Sequence, residues 1–343
     1  MLKNIIVISL LLGCLGCLNG TKKSKQNHTS LNFTQNDTIL RYIDSLSINH
    51  LKTHLKFLAS DSLMGRKSGE RGHWIALEYI TNFYKQKKIK SLDSSYYQNI
   101  PDKYLPRKID STANVIAVIK GQEIQNEYVV VSAHSDHLGV QNNNIYNGAD
   151  DNASGTSALL EIARVFKAAE KNGCKPKRNI VFCHFTAEEI GKGGSKFFVE
   201  NKTVPIPKII ANLNIDMIGR IDTKHQDGNY VYIIGADRVS NRFENTIKKI
   251  NKTYTNLQLD ESYDTPNDPN RFFYRSDQYH FARQNIPVVF FFSGAHKDYH
   301  KSSDTEEKIN YKALKKRAQL IFATTWQLAH QDKTFKTKQI IND

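Results

Sequence analysis

Four apolar runs in the sequence each end in a polar segment rich in histidine, aspartate or glutamate. The segments are HSDHLG after residues 128–133, TAEEIG after 179–185, DMIG after 209–215 and SGAHKDYHKSSDT after 288–292. Such runs, dominated by β-branched and aromatic residues, are typical of inner strands of a sheet. Ligands of α/β proteins gather beyond the carboxyl ends of such strands. The four segments therefore predict one site built from imidazole and carboxylate groups.

Two of these segments indicate what chemistry the site performs. Glu188 and Glu189 stand side by side at the end of an apolar run, where like charges repel and resist desolvation unless something positive lies beside them. A solvated loop is the alternative. His134 and Asp136 are two residues apart, so both side chains point to one side of an extended chain. That spacing suits a zinc-binding histidine whose second ring nitrogen is held by a carboxylate, and a surface pair is the alternative.

The patterns that must position these residues alternate between strand and helix. Strands are predicted at 114–119, 128–133, 179–185, 209–215, 230–234 and 288–292. Helices are predicted within 48–88 on both sides of a polar loop, at 154–170 with Ser154 as a cap, and at 195–200, 241–250, 276–284 and 311–330. Residues 253–275 are polar and irregular. This alternation predicts a three-layer α/β/α sandwich with a mixed, largely parallel central sheet, in one domain over 46–335.

Taken together and in this order, AHSDHLG, GADDNASG, TAEEIG, NLNIDMIG and DYHKSSDT resemble the motifs of family 28 of the zinc metallopeptidases. The resemblance runs from about Leu51, near which LASDSLMGRKSGERG is similar to the leading segment of the family, to the final predicted helix. The family includes secreted bacterial aminopeptidases and glutamate carboxypeptidase II, and glutaminyl cyclase is a relative. The resemblance thus implies a zinc-exopeptidase fold and a metal-dependent hydrolase.

Carried over by position, the resemblance implies two zinc ions per chain. His134 and Asp216 would bind one ion, and Glu189 and His300 the other. Asp151 would bridge the two ions. Imidazole nitrogen and carboxylate oxygen without thiolate agree with a hydrolytic zinc pair.

The resemblance also implies roles for residues that bind no metal. Glu188 would act as the general base, and Tyr299 matches a tyrosine that helps to stabilise the oxyanion in some members. Family members have a cis peptide after the bridging aspartate, which here is Asp151–Asn152. Two cations close together would then offset the repulsion between the paired glutamates.

Several neighbours are expected to support the site rather than to bind metal. Asp136 would orient His134, and Asp150 occupies a place where related enzymes vary. Arg275 begins an RSD segment that lines the pocket in the family. It would meet a substrate carbonyl or carboxylate, or else serve a structural role.

The last histidine ligand has a rival four residues earlier in the sequence. We prefer His300 to His296 because it stands in the Tyr-His order of the family, with Asp304 downstream as a supporting residue. His137 and His184 we interpret as structural or as supporting the ligands.

The N-terminus has the pattern of a bacterial lipoprotein signal over residues 1–20. A basic start and a short apolar core precede Leu-Leu-Gly-Cys, so Cys14 would become the lipidated N-terminus. Cys17 is a poorer match, and a plain secretory signal is the alternative. Residues 21–45 are predicted to be a flexible polar tether. We therefore expect a lipid-anchored protein of the bacterial cell envelope, on a periplasmic or other extracytoplasmic face.

The composition excludes some other functions. The formal net charge is +14, yet the lysines are scattered and no basic run is interleaved with aromatic residues, so we expect no nucleic-acid partner. Cys174 and Cys183 are the cysteines of the mature body, and their contexts give little support for a disulfide. The expected partners are peptide substrates and the lipid anchor, and we expect a monomer.

The leading hypothesis is an aminopeptidase that releases N-terminal residues from peptides. A carboxypeptidase or dipeptidase would use the same metals. Glutaminyl cyclase would need a single zinc, whereas the His134 position completes a second metal site. A binding protein that kept the fold but lost the activity would lack the ligand set, and here every ligand position carries a suitable residue.

Overall fold

A mixed sheet runs through the part of the chain that the computed structural model describes, residues 36–106, 108–332 and 334–335. Its strands are β1 Lys90–Ser91, β2 Tyr97–Asn99, β3 Ala113–Ile119, β4 Ile124–His134, β7 Arg178–Phe185, β8 Ile209–Ile215, β9 Tyr230–Ile234, β10 Gln258–Asp260 and β11 Val288–Phe292, and the strands β5 Gly139–Gln141 and β6 Asn144–Tyr146 form a separate hairpin. The order is β1-β3-β7-β4-β8-β11-β9-β10, with β2 also paired to β3. The central strands β7, β4, β8 and β11 are parallel to one another. Strand β3 is antiparallel to β7 and β9 is antiparallel to β11, whereas the edge strand β10 is parallel to β9.

Helices cover both faces of this sheet. They are α1 Asp37–Asp44, α2 Ile48–Leu58, α3 Arg71–Lys87, α4 Gly155–Lys171, α5 Gly193–Glu200, α6 Ala236–Val239, α7 Asn241–Tyr254, α8 Gln278–Ala282 and α9 Tyr311–His330. Alternate residues of one strand point into different cores: Val129 and Val131 of β4 pack with the larger group of helices, and Val130 packs with the group that includes α5 and α8. Burial on both faces explains why the central strands are apolar without interruption. The predicted three-layer α/β/α sandwich is confirmed.

The predicted tether is wrong over its last residues. Residues 37–44 form α1, which packs on α9. Ile39, Tyr42 and Ile43 are buried, and the ring of Tyr42 stacks on that of Trp326. These three residues follow the spacing of a helix with one apolar face, so the folded domain begins earlier than residue 46. The rest of the tether, the predicted signal and Cys14 lie outside the described residues.

Ser154 does not cap α4 as predicted. Its backbone is already helical, and its hydroxyl donates to the carbonyl oxygen of Asp150 at 2.8 Å. Asn152 instead accepts a hydrogen bond from the N–H of Gly155 at 2.9 Å. The prediction failed because Asp151 and Asn152 in the preceding turn have non-helical backbone angles. The peptide bond between them is cis, as the family resemblance implied.

Two other features bear on the predictions for the chain as a whole. Cys174 and Cys183 are free thiols. Among the described helices, none combines the length and apolar character needed to cross a membrane.

Candidate metal centre

The sheet brings the predicted ligands together at the carboxyl ends of its central strands. His134 is the last residue of β4, and Asp216 directly follows β8. Glu189 lies in the loop after β7, and His300 lies in the segment after β11. Asp151 enters from the irregular turn before α4. These five residues, which we call the metal centre, lie far apart in sequence and meet because the strands that precede four of them are neighbours and parallel.

The carboxylate of Asp151 lies between two histidines. Its Oδ1 is 3.3 Å from Nε2 of His134, and its Oδ2 is 3.1 Å from Nε2 of His300. The same Nε2 of His134 is 3.2 Å from Oδ1 of Asp216, and Nε2 of His300 is 3.2 Å from Oε2 of Glu189. The centre therefore consists of two pairs, each one histidine and one carboxylate, that share Asp151.

The donor set fits a bound cation. His134, Asp151 and Glu189 each offer an atom within 4.8 Å of the others. Among the described residues, no hydroxyl and no backbone N–H donates to the carboxylate of Asp151, whose oxygens face only imidazole nitrogens. Buried carboxylates without such donors need positive charge. Nitrogen and oxygen donors without sulfur suit zinc in a hydrolytic site.

The electrostatics of the centre show the same need for positive charge. Burial raises the pKa of Asp216, and His134 opposes that effect. Burial alone would lower the pKa of His134, but the carboxylates of Asp216, Asp136 and Asp151 together outweigh it, and the pKa lies well above its ordinary value. The buried carboxylates thus favour positive charge within the centre.

Glu188 lies beside the centre without entering it. Burial is the main reason that its pKa lies well above its usual value, and the Glu189 carboxylate raises the pKa further while His134 opposes it. The backbone N–H of Glu188 donates to Oδ1 of Asp136 at 3.2 Å. The two neighbouring glutamates therefore have different environments. Glu189 lies against a pair of histidines, whereas Glu188 faces the cavity.

Asp136 supports the site, but its main contact with His134 is not the expected one through the carboxylate. The closest partner of the His134 Nδ1 is the backbone oxygen of Asp136, at 3.2 Å, and the Asp136 carboxylate is 3.7 Å away. That carboxylate accepts hydrogen bonds from Ser68 Oγ at 2.8 Å and from the N–H of Glu188. Asp136 thus orients the histidine through its carbonyl, and its side chain fixes the loop that carries both glutamates.

Asp304 fixes the turn that carries the shared carboxylate. Its Oδ2 accepts the backbone N–H groups of Asp150 and Asp151, at 2.9 and 3.1 Å. Burial is the main cause that raises the pKa of Asp304 to about 6, and the negative charge of Asp150 adds to it. The predicted supporting residue therefore acts on the backbone of the turn.

The other histidines of the predicted motifs take separate places. Nε2 of His296 is 3.3 Å from Oδ2 of Asp150, so the rival of His300 faces the aspartate that does not enter the centre. Nδ1 of His137 is 2.7 Å from Oε1 of Glu189 and supports that ligand. His184 bonds the hydroxyl of Tyr84 at 2.8 Å, and burial lowers its pKa to about 3, so it is a neutral core residue.

A cavity opens beside the metal centre. It is lined by the carboxylates of Glu188, Asp151 and Asp216 and by an aromatic wall of Phe272, Phe290 and Phe292. Tyr299 and Arg275 also line it. The ring of Tyr299 stacks on the His300 imidazole, with ring centres 3.8 Å apart. The predicted base, the predicted oxyanion tyrosine and the RSD arginine thus share one cavity with three of the predicted metal ligands, Asp151, Asp216 and His300.

Three residues at the site carried no chemical signal in the sequence. Ser276 donates to Oδ2 of Asp216 at 2.7 Å. Arg66 is buried and donates to the carbonyl oxygens of Ser135 and Gly148, at 3.1 and 3.0 Å. Arg220 reaches carboxylates on the final loop. Arg66 and Ser276 fall in segments quoted for the family resemblance, which was the available signal, whereas Arg220 directly follows such a segment.

The comparison with family models agrees with this geometry. The model of peptidase family M28 matches residues 114–325, more than half of the sequence, and the chain belongs to that family. The resemblance drawn from the motifs is confirmed.

Similar proteins fall into two groups by name. The probable glutamate carboxypeptidase LAMP1 of Arabidopsis thaliana is 39% identical over 104 residues, which are 30% of this chain and 14% of that protein. Leucine aminopeptidase 2 of Arthroderma otae is 26% identical over 249 residues, 66% of this chain and 47% of that protein. The chain spans less than half the length of these curated relatives.

Solved structures agree on the fold. The LapA aminopeptidase of Legionella pneumophila superposes with a TM-score of 0.69 at 20% identity, over 86% of this chain and 75% of that chain. A zinc aminopeptidase from Bacillus subtilis superposes with a TM-score of 0.62 at 16% identity, over 85% and 98%. At these identities the likeness establishes the fold.

Proposed function

We propose that the chain is a zinc-dependent aminopeptidase that removes N-terminal residues from peptides. The observation that carries the proposal is the Asp151 carboxylate, which faces one histidine–carboxylate pair with each of its oxygens. Membership of peptidase family M28 and similarity to a leucine aminopeptidase support the same activity.

Two zinc ions per chain would be held by the five residues of the metal centre. His134 and Asp216 would hold one ion, Glu189 and His300 the other, and Asp151 would contact both. When bound, such ions lower the pKa of a water molecule and polarise the scissile carbonyl.

Glu188 would move the proton. Its carboxyl lies in the cavity, and its backbone is fixed by the hydrogen bond to Asp136. A carboxylate with a raised pKa accepts a proton from the attacking water more readily and returns it to the leaving amine. Glu188 would therefore act first as base and then as acid.

Tyr299 and the walls of the cavity would orient the substrate. The phenol would donate to the scissile carbonyl oxygen, where negative charge develops, and stacking on His300 holds the ring in place. The acidic groups would receive a free N-terminal amine, and the aromatic wall of Phe272, Phe290 and Phe292 would receive an apolar side chain.

A carboxypeptidase or dipeptidase is the second candidate. Arg275 is the arginine that lines the cavity, and a guanidinium there would suit a substrate carboxylate. Similarity to a probable glutamate carboxypeptidase points the same way.

The decisive experiment combines hydrolysis with metal counting. Purified protein should release amines from aminoacyl anilides and dipeptides, and chelation should abolish this release. Glu188→Gln should lose at least about 10³-fold in kcat while retaining its zinc, because only proton transfer is removed. Glu200→Gln, at the exposed end of α5, is the matched control. Undiminished turnover after chelation, or in Glu188→Gln, would refute the proposal.

We further propose that Cys14 is lipidated and anchors a monomeric protein at the cell envelope. The support is the Leu-Leu-Gly-Cys pattern and the short apolar run before it. Cys14→Ser should move the protein from the membrane fraction to the soluble fraction, whereas Cys17→Ser should not. Equal membrane retention of all three proteins would refute this anchor.

A further inference from the structure

Arg275 and Tyr299 form a hydrogen bond at the mouth of the cavity. Nη2 of Arg275 lies 3.1 Å from the phenol oxygen of Tyr299. A guanidinium carries donors and no acceptor, so the phenol oxygen must be the acceptor. Since a phenol has one hydrogen of its own, that hydrogen is left for a different partner.

Both members of this bond lie next to residues that contact the metal centre. The guanidinium centre of Arg275 is 5.3 Å from the ring centre of Phe272. The next residue, Ser276, donates to Oδ2 of Asp216. On the other side, Tyr299 stacks on His300. The bond therefore joins the Asp216 side of the metal centre to the His300 side.

A charged donor also changes what the phenol can do. A hydroxyl that accepts a bond from a cation is polarised and becomes a stronger donor through its own hydrogen. Tyr299 and Glu188 line the same cavity, so the phenol hydrogen and the Glu188 carboxyl would face the same bound substrate.

We propose that Arg275 is a positioning residue for Tyr299, which it holds with the phenol hydrogen directed into the cavity toward the oxygen of the scissile carbonyl. This inference rests on the proposed peptidase function. It differs from a direct role in substrate binding, because Arg275 then acts on every substrate through the tyrosine.

A double-mutant cycle separates these two roles. Arg275→Met, Tyr299→Phe and the double variant are assayed with an aminoacyl anilide, which has no carboxylate, and with a dipeptide. Tyr299→Phe should lower kcat about 100-fold and Arg275→Met about 10-fold on both substrates, with KM changed less than about twofold. The double variant should be no slower than Tyr299→Phe alone.

The controls keep the result free of folding effects. Arg275 is exposed, so its truncation leaves the core intact. Arg271→Met removes an exposed arginine of the same segment that lies 4.8 Å from the ring centre of Tyr274 and does not line the cavity. It should leave kcat unchanged, and the zinc content should be equal in all variants.

The inference is overturned if the two losses multiply in the double variant. It is also overturned if Arg275→Met raises only KM, and only for the dipeptide, because Arg275 would then bind the substrate carboxylate. A wild-type protein without activity on either substrate would overturn the proposed function and this inference with it. An active wild type with multiplied losses would overturn the inference alone.

Discussion

Two clusters in this protein contain the same kinds of side chain. One is the metal centre, and the other is the cluster of Asp222, His225 and Asp260. In the second cluster, Nδ1 of His225 is 2.8 Å from Oδ1 of Asp222, and its Nε2 is 3.2 Å from Oδ2 of Asp260. Both clusters therefore place a histidine between two carboxylates.

The clusters differ in what already satisfies the carboxylates. Oδ1 of Asp222 accepts the N–H groups of Lys224 and His225, and its Oδ2 accepts the hydroxyl of Tyr232. The imidazole of His225 also stacks on Tyr230, with ring centres 3.4 Å apart. Asp151 has no comparable donors among the described residues. Carboxylate lone pairs left without protein donors, rather than residue types, distinguish a metal site from a structural network.

Replacement of one carboxylate in each cluster tests this distinction most strongly. Asp151→Asn should lower kcat/KM at least about 10³-fold and release zinc, because the shared ligand is lost. Asp222→Asn should retain zinc and lose about 2 kcal/mol of unfolding free energy, because donors are left facing an amide. Metal content, hydrolysis and urea unfolding in chelator are measured on both variants.

The outcome that contradicts the comparison is equally specific. If Asp222→Asn lost its zinc, or if Asp151→Asn kept two ions and its activity, the pattern of hydrogen-bond donors would not separate the two clusters. Equal losses of unfolding free energy in Asp151→Asn and Asp222→Asn, measured in chelator, would also contradict the comparison.

The sequence located the candidate ligands more directly than the residues around them, for a physical reason. His134 and Asp216 follow long strands that are buried on both faces, and such strands are visible as apolar runs. The placement of Tyr299 and Asp304 came from the family resemblance alone. Ser276 and Arg66 make their site contacts across 60 and 69 residues of sequence, and no local period reports such contacts.

The errors were local. Some strands have only two or three residues, which is too short for an alternation of apolar and polar residues to show: β1, β2, β5, β6 and β10. For this reason β10 was not predicted within the irregular stretch 253–275. Helix α1 was taken as tether because polar residues precede it, although Ile39, Tyr42 and Ile43 have helical spacing. Short elements depend on tertiary packing, and their sequences carry little of that information.

The environment of His54 sharpens the comparison, because no carboxylate among the described residues contacts its imidazole. His54 packs edge-on against Phe83 and bonds the hydroxyl of Tyr79 at 2.7 Å. Burial is the main cause that lowers its pKa to about 4, and nearby cationic groups add to it. The unfolded chain binds this proton near pH 6.5, so stability is fully present above that pH and is lost as pH falls toward about 4.

His54→Gln should remove this dependence on pH. Between pH 6.5 and about 4, wild type should lose about 3 kcal/mol more unfolding free energy than the variant, from 1.36 kcal/mol for each unit of pKa shift. Urea unfolding at several pH values in chelator measures the difference. Because the other histidines are common to both proteins, parallel curves would mean that burial does not depress the His54 pKa.

The smallest expected effect concerns how the final loop is held to the metal centre. Nη2 of Arg220 is 2.7 Å from Oδ2 of Asp298, and its Nη1 is 3.5 Å from Oδ1 of Asp304. These aspartates flank the segment that carries Tyr299 and His300. Asp304 also holds the turn of the shared ligand. One guanidinium thus ties together the loops that present different ligands.

Arg220→Lys keeps the charge but loses the fork that reaches both aspartates. Zinc affinity should fall about tenfold, as is usual when a group that supports a ligand is changed, and kcat at saturating zinc should stay close to wild type. Arg238→Lys is the matched control, since Arg238 pairs with Asp264 at 2.8 Å and touches none of the ligand-bearing loops. If both variants bind zinc like wild type, the loops hold their geometry without Arg220, and the hydrogen bonds that Asp304 accepts from the turn suffice.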